Sequence, residues 1–174
     1  MSDRAEFERV IKLDRIPIKA VEITADEAER SALARRFALP AIHELSAEIT
    51  LTQQNDTVLA RGTLWAKFAQ SCAVAREPFE TGLKEPVAIR FVPAGAPPPE
   101  DEELEFDSDG PDEIEYEGQS FDLGEALAQS FGLALDPYAT GPDAEAVRKE
   151  AGIADEDAPS GPFAALAGLK TGRS

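Results

Sequence analysis

The sequence predicts an α+β fold in which an antiparallel β-sheet, ordered as a meander, carries two or three packed helices. Three segments between residues 43 and 92 alternate apolar and polar side chains, which is the two-residue period of a half-buried strand. Residues 25–37 and 122–133 follow helix N-capping signals and carry apolar residues along one face. At 174 residues the chain is long enough to bury one core between these elements.

The N-terminal segments are less regular than the centre. Residues 7–16 carry enough apolar weight for a first strand, although their alternation is imperfect, and residues 18–23 suit a second short strand. Thr24 is a good helix N-cap residue, and Glu27 stands three positions later, which is the spacing of a capping box. We therefore predict a first helix over residues 25–37.

The centre of the chain gives the clearest strand pattern. Apolar residues alternate strictly with polar ones over residues 45–52, and Asn55-Asp56 then supplies a turn. Residues 58–68 place small and apolar side chains on one face, and residues 87–92 repeat the pattern. Strands of this kind, joined in chain order by short turns, predict an antiparallel meander.

Composition changes in the second half of the chain. Residues 100–117 contain 11 Asp/Glu and no Lys or Arg, so charge repulsion predicts a loop over residues 94–117. At the end of this loop, residues 113–116 alternate enough to form a short strand. Asp122 then caps the second helix, with Glu125 at the capping-box position. We predict that residues 1–138 form a single domain that includes the acidic loop.

The C-terminal residues 139–174 are predicted to form a flexible tail, because large apolar side chains are scarce in most of it. It ends in a short apolar motif over residues 161–170, where Phe163 and Leu166 share one helical face. Two interpretations stay open. The motif either docks on the protein's own core or binds in a groove of another protein.

The charge distribution favours a role in binding. The net charge is -17, and residues 94–174 carry 20 Asp/Glu against 4 Lys/Arg. An acidic segment repels nucleic-acid phosphates and attracts cationic proteins. We therefore predict that Glu100, Asp101, Glu102 and Glu103 bind a basic partner. The alternative is that they only keep the protein soluble.

The same sequence predicts a cytoplasmic protein that is not attached to a membrane. The charged N-terminus leads into no apolar signal segment, and no uncharged apolar run approaches the ~20 residues of a membrane-spanning helix. Cys72 is the single cysteine, so no internal disulfide can form, which fits a reducing compartment.

Residues for catalysis are scarce. His43 is the only histidine, and we interpret it as a surface or structural residue, while Cys72 lies among small residues and is expected to be buried. One cysteine and one histidine cannot build a structural zinc site, and no glycine-rich phosphate loop is present. We predict a protein that is not an enzyme and that uses no cofactor or metal.

One strand offers an alternative, RNA-binding function. Arg61, Trp65 and Lys67 fall on the same side of the strand over residues 58–68. An aromatic ring and cations on a sheet face can stack bases and hold phosphates. The competing interpretation is that Trp65 packs under a helix with the cations at the rim.

Three segments together resemble a bacterial family, the YceD-like large ribosomal RNA subunit accumulation proteins. The family's motif residues are matched in order by Gly62, Cys72, Glu77, Pro78, Asp122 and Leu123, and then by the Leu133–Tyr138 segment with Pro137 and Tyr138. The ending Pro162–Leu166 is similar to that of the family's alphaproteobacterial branch.

The resemblance implies a non-catalytic role in the synthesis, processing or stability of 23S ribosomal RNA. Many members carry a second cysteine where this chain has Ala75, so a metal site inferred from those members does not transfer. The branch often continues with Pro-Arg where this chain has Ala139-Thr140. Our hypothesis is that the acidic half binds a basic ribosomal protein or another assembly factor, and so associates with 23S RNA indirectly.

Overall fold

The computed structural model describes residues 6–95 and 110–151. The strands, in chain order, are β1 (Val10–Lys12), β2 (Val21–Thr24), β3 (Ala41–Gln54), β4 (Thr57–Ser71), β5 (Pro78–Pro93), β6 (Asp112–Tyr116) and β7 (Ser120–Asp122). The helices are α1 (Glu27–Arg36), α2 (Leu123–Ala134) and α3 (Ala144–Glu150), with a 3-10 turn at Leu13–Arg15. This set of strands and helices confirms the predicted α+β class.

The main sheet has five strands in the order β2-β3-β4-β5-β6. β2 pairs antiparallel with β3, and β3 pairs antiparallel with β4 around a turn in which Asn55 has a φ of 55°. β1 and β7 form a separate two-stranded antiparallel sheet. The predicted turn at Asn55-Asp56 is therefore confirmed. Asparagine suits this position because it tolerates the left-handed conformation.

β6 departs from a pure meander, since it pairs with β5 in the parallel direction. Parallel neighbours need a long crossover rather than a tight hairpin. Residues 94–111 supply that length, and sequence alternation alone does not reveal the direction of a strand.

The core lies between one face of the five-stranded sheet and the helices α1 and α2. Side chains on alternate positions of the strands face inward, as predicted for the centre of the chain. Phe131 of α2 packs edge-on against Phe68 of β4 and against Phe37 at the end of α1, with ring centroids 5.5 Å apart in both pairs. Such pairs add about 1 kcal/mol each to the burial of their area.

Several predicted boundaries were wrong, and β5 begins at Pro78 instead of at residue 87. The first strand covers only Val10–Lys12, not residues 7–16. The N-cap of α1 is Asp26 and not Thr24, which ends β2 opposite Ser46. Asp26 and Glu29 have the same capping-box spacing as Thr24 and Glu27, shifted by two residues. Because Thr24 is paired in the sheet, the helix begins at the second of these two capping boxes.

Helix α1 is tied to the rest of the core by two arginine–carboxylate pairs. Arg36 donates two hydrogen bonds to Glu125 of α2, at 2.8 and 2.9 Å, and Arg9 donates two to Glu29, at 2.6 and 2.9 Å. These hydrogen bonds stabilise the charged form, and they lower the pKa of Glu125 and the pKa of Glu29 below the usual value.

The described residues divide into two compact units. Of the described residues, one unit comprises 6–70, 80–95 and 110–136, and the other comprises 71–79 and 137–151. Helix α3 belongs to the second unit, in a segment for which the sequence predicted no secondary structure. The division into a domain over 1–138 and a tail over 139–174 stays a prediction.

Among the described residues, no helix has the length and apolar composition that crossing a membrane would require.

Candidate functional site

The face of the main sheet opposite α1 and α2 is the first candidate interaction surface, and we call its outward-facing β3 and β4 residues the open sheet face. β4 places Arg61, Trp65 and Lys67 on the open sheet face, because they are separated by even numbers of positions along the strand. All three are exposed, and Trp65 has 37% of its surface accessible. The structure therefore places the predicted RNA-facing residues on one side of one strand, away from the two helices.

Charges on the open sheet face are mixed. Lys67 Nζ lies 2.7 Å from Glu44 Oε2, so the lysine is partly neutralised by its cross-strand neighbour. Trp65 stands opposite Ser46, and Arg61 stands opposite Thr50. Neither Trp65 nor Arg61 stands directly opposite a carboxylate, but Glu48, opposite Thr63, is a diagonal neighbour of both.

Gly62 lies on the opposite side of β4 from these residues, in register with Ile49 of β3. A Cβ atom at this position would sit 1.8 Å from the backbone oxygen of Glu48. The two strands approach so closely here that no side chain fits between them. Gly62 thus has a structural role, which is to seat β4 against β3 beneath the open sheet face.

Asp122 and Leu123 mark the start of α2. The carboxylate oxygen Oδ1 of Asp122 accepts hydrogen bonds from the backbone N–H groups of Gly124, Glu125 and Arg9, at 2.9, 3.2 and 2.8 Å. Leu123 is completely buried. The predicted cap is confirmed, but Glu125 turns to Arg36 instead of closing a capping box. Asp122 therefore joins the N-terminal segment to α2.

Cys72 belongs to the second unit, where it begins a tight turn. Its backbone N–H donates to the oxygen of Glu77 at 2.8 Å, and its sulfur accepts from the N–H of Ala75 at 3.3 Å. Hydrogen bonds from the backbone at Ala75 and Gly141 lower the pKa of the thiol. The side chain is 2% exposed, which confirms the prediction that Cys72 is buried.

The other motif residues of this unit lie at the surface. Glu77, Pro78 and Pro137 are exposed, and Tyr138 is 81% exposed. The connection between the Cys72 turn and the C-terminal segment was missed by the sequence analysis. Ala73 donates its N–H to the oxygen of Ala139 at 3.0 Å, a backbone contact that leaves no signature in side-chain patterns.

His43 lies at a bulge in β3. Its Nε2 is 2.9 Å from Glu80 Oε2, with the two side chains 51% and 71% exposed. It also borders a shallow groove with Arg30 and Leu39. A contact this exposed is open to water and contributes little to stability. Within residues 6–95 and 110–151, no cluster of three or more His, Cys, Asp or Glu is placed to hold a metal ion.

Several predicted site residues lie outside the described residues. These are the acidic run Glu100, Asp101, Glu102 and Glu103, and the C-terminal residues Phe163 and Leu166.

Comparison with known proteins identifies one match. The model of a family described as "Large ribosomal RNA subunit accumulation protein YceD" matches residues 60–170, which is well over half of the chain. That range contains every motif residue named above, from Gly62 to Tyr138. No curated protein and no solved structure matches the chain.

Proposed function

The chain belongs to the YceD family, and from that premise we propose that it supports the accumulation of 23S ribosomal RNA by binding a basic protein of the large subunit. The family match over residues 60–170 carries this proposal, because the family is described by its effect on ribosomal RNA of the large subunit. In this proposal the protein acts without catalysis and reaches the RNA through its partner, in the cytoplasm.

The charge of the chain supports a protein partner. Residues 94–174 carry 20 Asp/Glu against 4 Lys/Arg, so this half of the chain is repelled by RNA phosphates, whereas ribosomal proteins that bind RNA are rich in Lys and Arg. Complementary charge mainly accelerates encounter and excludes wrong partners. The run Glu100–Glu103 has the highest carboxylate density and is the proposed docking segment.

The environments of the two candidate catalytic groups agree with a non-catalytic role. His43 forms an exposed contact with Glu80, open to solvent on both sides rather than enclosed in a cleft. The Cys72 sulfur has a lowered pKa, which favours the thiolate, but at 2% exposure it is shielded from a substrate.

A second candidate function is direct binding of single-stranded RNA by the open sheet face. Trp65 is accessible and is flanked along β4 by Arg61 and Lys67. Stacking of one base on such a ring contributes roughly 1–3 kcal/mol. This function predicts that the alanine substitution Trp65→Ala weakens binding to 23S fragments by about tenfold or more.

Charge reversal separates the two functions. We expect replacement of Glu100, Asp101, Glu102 and Glu103 by lysine to weaken binding to purified large-subunit ribosomal proteins by about tenfold at physiological salt, because the attraction is electrostatic. A matched control reverses four exposed glutamates outside both candidate sites, Glu8, Glu27, Glu145 and Glu150. Affinities and melting temperatures are measured for both variants.

The control carries the same change in net charge, so it isolates the position of the charges. Equal losses in the two variants would refute a dedicated acidic docking segment. Tight binding of the wild type to bare 23S fragments, unchanged by the lysine substitutions but lost in Trp65→Ala, would replace the protein-partner function by the RNA-binding one.

A further inference from the structure

Among the described strands, only β6 pairs with the outer edge of β5, and it covers only part of that edge. β5 runs over Pro78–Pro93, but β6 pairs with it only from Ile89 to Pro93. No other described strand lies on this side of β5, because β6 is the last strand of the sheet. Backbone groups along an uncovered edge are ready to pair with another strand.

A groove lies along the uncovered edge just before β6 begins. It is lined by Glu85–Ala88 of β5, Asp112 of β6, and Ser130, Leu133 and Ala134 of α2, and it has a volume of about 130 Å³. We call it the β5-edge groove. Leu133 is 80% exposed beside it, although five of the other apolar residues of α2 are fully buried.

Pro86 identifies which backbone groups face this groove. A proline is accommodated inside a strand where its nitrogen points away from the paired neighbour, since it has no N–H to donate. Its nitrogen therefore points toward the open edge. Side chains and backbone groups alternate along a strand, so the N–H of Ala88, two positions later, points to the same edge. The edge offers hydrogen bonds there, and Leu133 offers an apolar contact.

The charged side chains that line the β5-edge groove are negative, while the exposed Lys84 lies on the opposite face of β5. The negative side chains are the carboxylates of Glu85 and Asp112. The C-terminal end of α2 adds the partial negative charge of its free carbonyl groups, and no basic residue in its last turn offsets them. A cationic ligand fits this surface, whereas a second copy of this chain would bring a like charge of -17.

We propose that the β5-edge groove binds an extended, basic segment of a partner protein by β-strand addition. The segment pairs with the open edge at residues 84–88, places an apolar side chain against Leu133, and places Lys or Arg beside Glu85 and Asp112. Main-chain hydrogen bonds supply affinity in this mode, and the alternating side chains supply specificity. The inference rests on the proposed function in taking the partner to be a basic protein.

Binding of a synthetic peptide tests this directly. The probe is a fluorescein-labelled nonapeptide with threonine at its odd positions and lysine and valine in turn at its even positions, so that lysine and valine project from the same face of the added strand. Its binding to the full-length protein is measured by anisotropy. The control peptide has the same charges but carries N-methyl groups on alternate residues. These groups remove the backbone N–H donors along one edge of the peptide strand. We expect the control peptide to bind about tenfold more weakly, because only the unmodified peptide can add a strand.

Two protein variants locate the site. Leu133→Ser removes an exposed side chain, and Ala88→Pro removes the outward N–H. Each variant is expected to bind the unmodified peptide about fivefold or more weakly than the wild type does, and to bind the N-methylated peptide with unchanged affinity. Melting curves confirm that the variants are folded, and Leu133→Ser serves alone if Ala88→Pro unfolds. Equal affinities for the two peptides, or wild-type affinity in Leu133→Ser, would overturn the inference.

Two further readouts separate the possible failures. A dimer in sedimentation that Leu133→Ser dissociates would assign the groove to a second copy and overturn the proposed partner. Depletion of the protein from cells tests the proposed function independently of the peptide. If depletion lowers 23S RNA and the Leu133→Ser variant restores it fully, the β5-edge groove is not needed for the function. That outcome would overturn this inference and leave the proposed function supported.

Discussion

Replacement of Gly62 by alanine is expected to lower the free energy of unfolding by about 3 kcal/mol or more, the upper range for overpacked core sites. The added methyl carbon would lie 1.8 Å from the oxygen and 2.9 Å from the carbon of the Glu48 carbonyl. Both atoms belong to the backbone of β3, so no side-chain rotation can relieve the overlap. The hairpin of β3 and β4 must open locally and lose hydrogen bonds of its ladder.

A smaller effect acts in the opposite direction. Glycine within a strand costs roughly 0.5–1 kcal/mol relative to alanine, because it loses more conformational freedom on folding. The steric overlap exceeds this gain several times. Chemical denaturation measures the difference, with Thr63→Ala on the other side of the same strand as the control. An unchanged midpoint for Gly62→Ala would contradict the close approach of β3 and β4.

Replacement of Gly124 by alanine is the second change with a large expected effect. Helix propensity alone predicts a gain of about 1 kcal/mol, since Gly124 lies in α2. However, the new methyl carbon would lie 2.2 Å from the oxygen of Phe7 and 2.8 Å from the nitrogen of Arg9. Both are backbone atoms, so the N-terminal segment would have to move away from the helix.

That movement would disrupt several contacts together. Phe7 is 1% exposed, the N–H of Arg9 donates to Asp122, and the oxygen of Arg9 accepts from the N–H of Leu123 at 3.0 Å. We expect a net loss of about 3 kcal/mol, measured as for Gly62→Ala. Gln129→Ala, at an exposed position of α2, is the control. A gain in stability, as propensity predicts, would mean that the segment does not cross the helix at Gly124.

The centre of the fold could be predicted from the sequence because its information is local. The alternation over residues 45–52 and over residues 58–68 predicts which side chains are buried, and apart from Gly62, which is half-buried, the structure buries those positions in β3 and β4. The cap at Asp122 was also found, since a capping residue and the helix that it starts are adjacent in the chain.

Features that depend on distant residues could not be predicted. Nothing in residues 112–116 indicates that β6 runs parallel to β5, because a strand pattern is the same in both directions. The roles of Gly62 and Gly124 depend on backbone atoms of Glu48 and Phe7, which are far away in sequence. The sequence placed Arg61, Trp65 and Lys67 on one side of a strand but could not determine whether helices cover that side.

The most direct test of the proposed function is the ratio of 23S to 16S ribosomal RNA in cells depleted of this protein, measured together with ribosomal subunit profiles. We predict a selective fall in 23S RNA and in large subunits, while 16S RNA and small subunits keep their levels. An unchanged ratio with normal subunit profiles would contradict a role in large-subunit RNA accumulation.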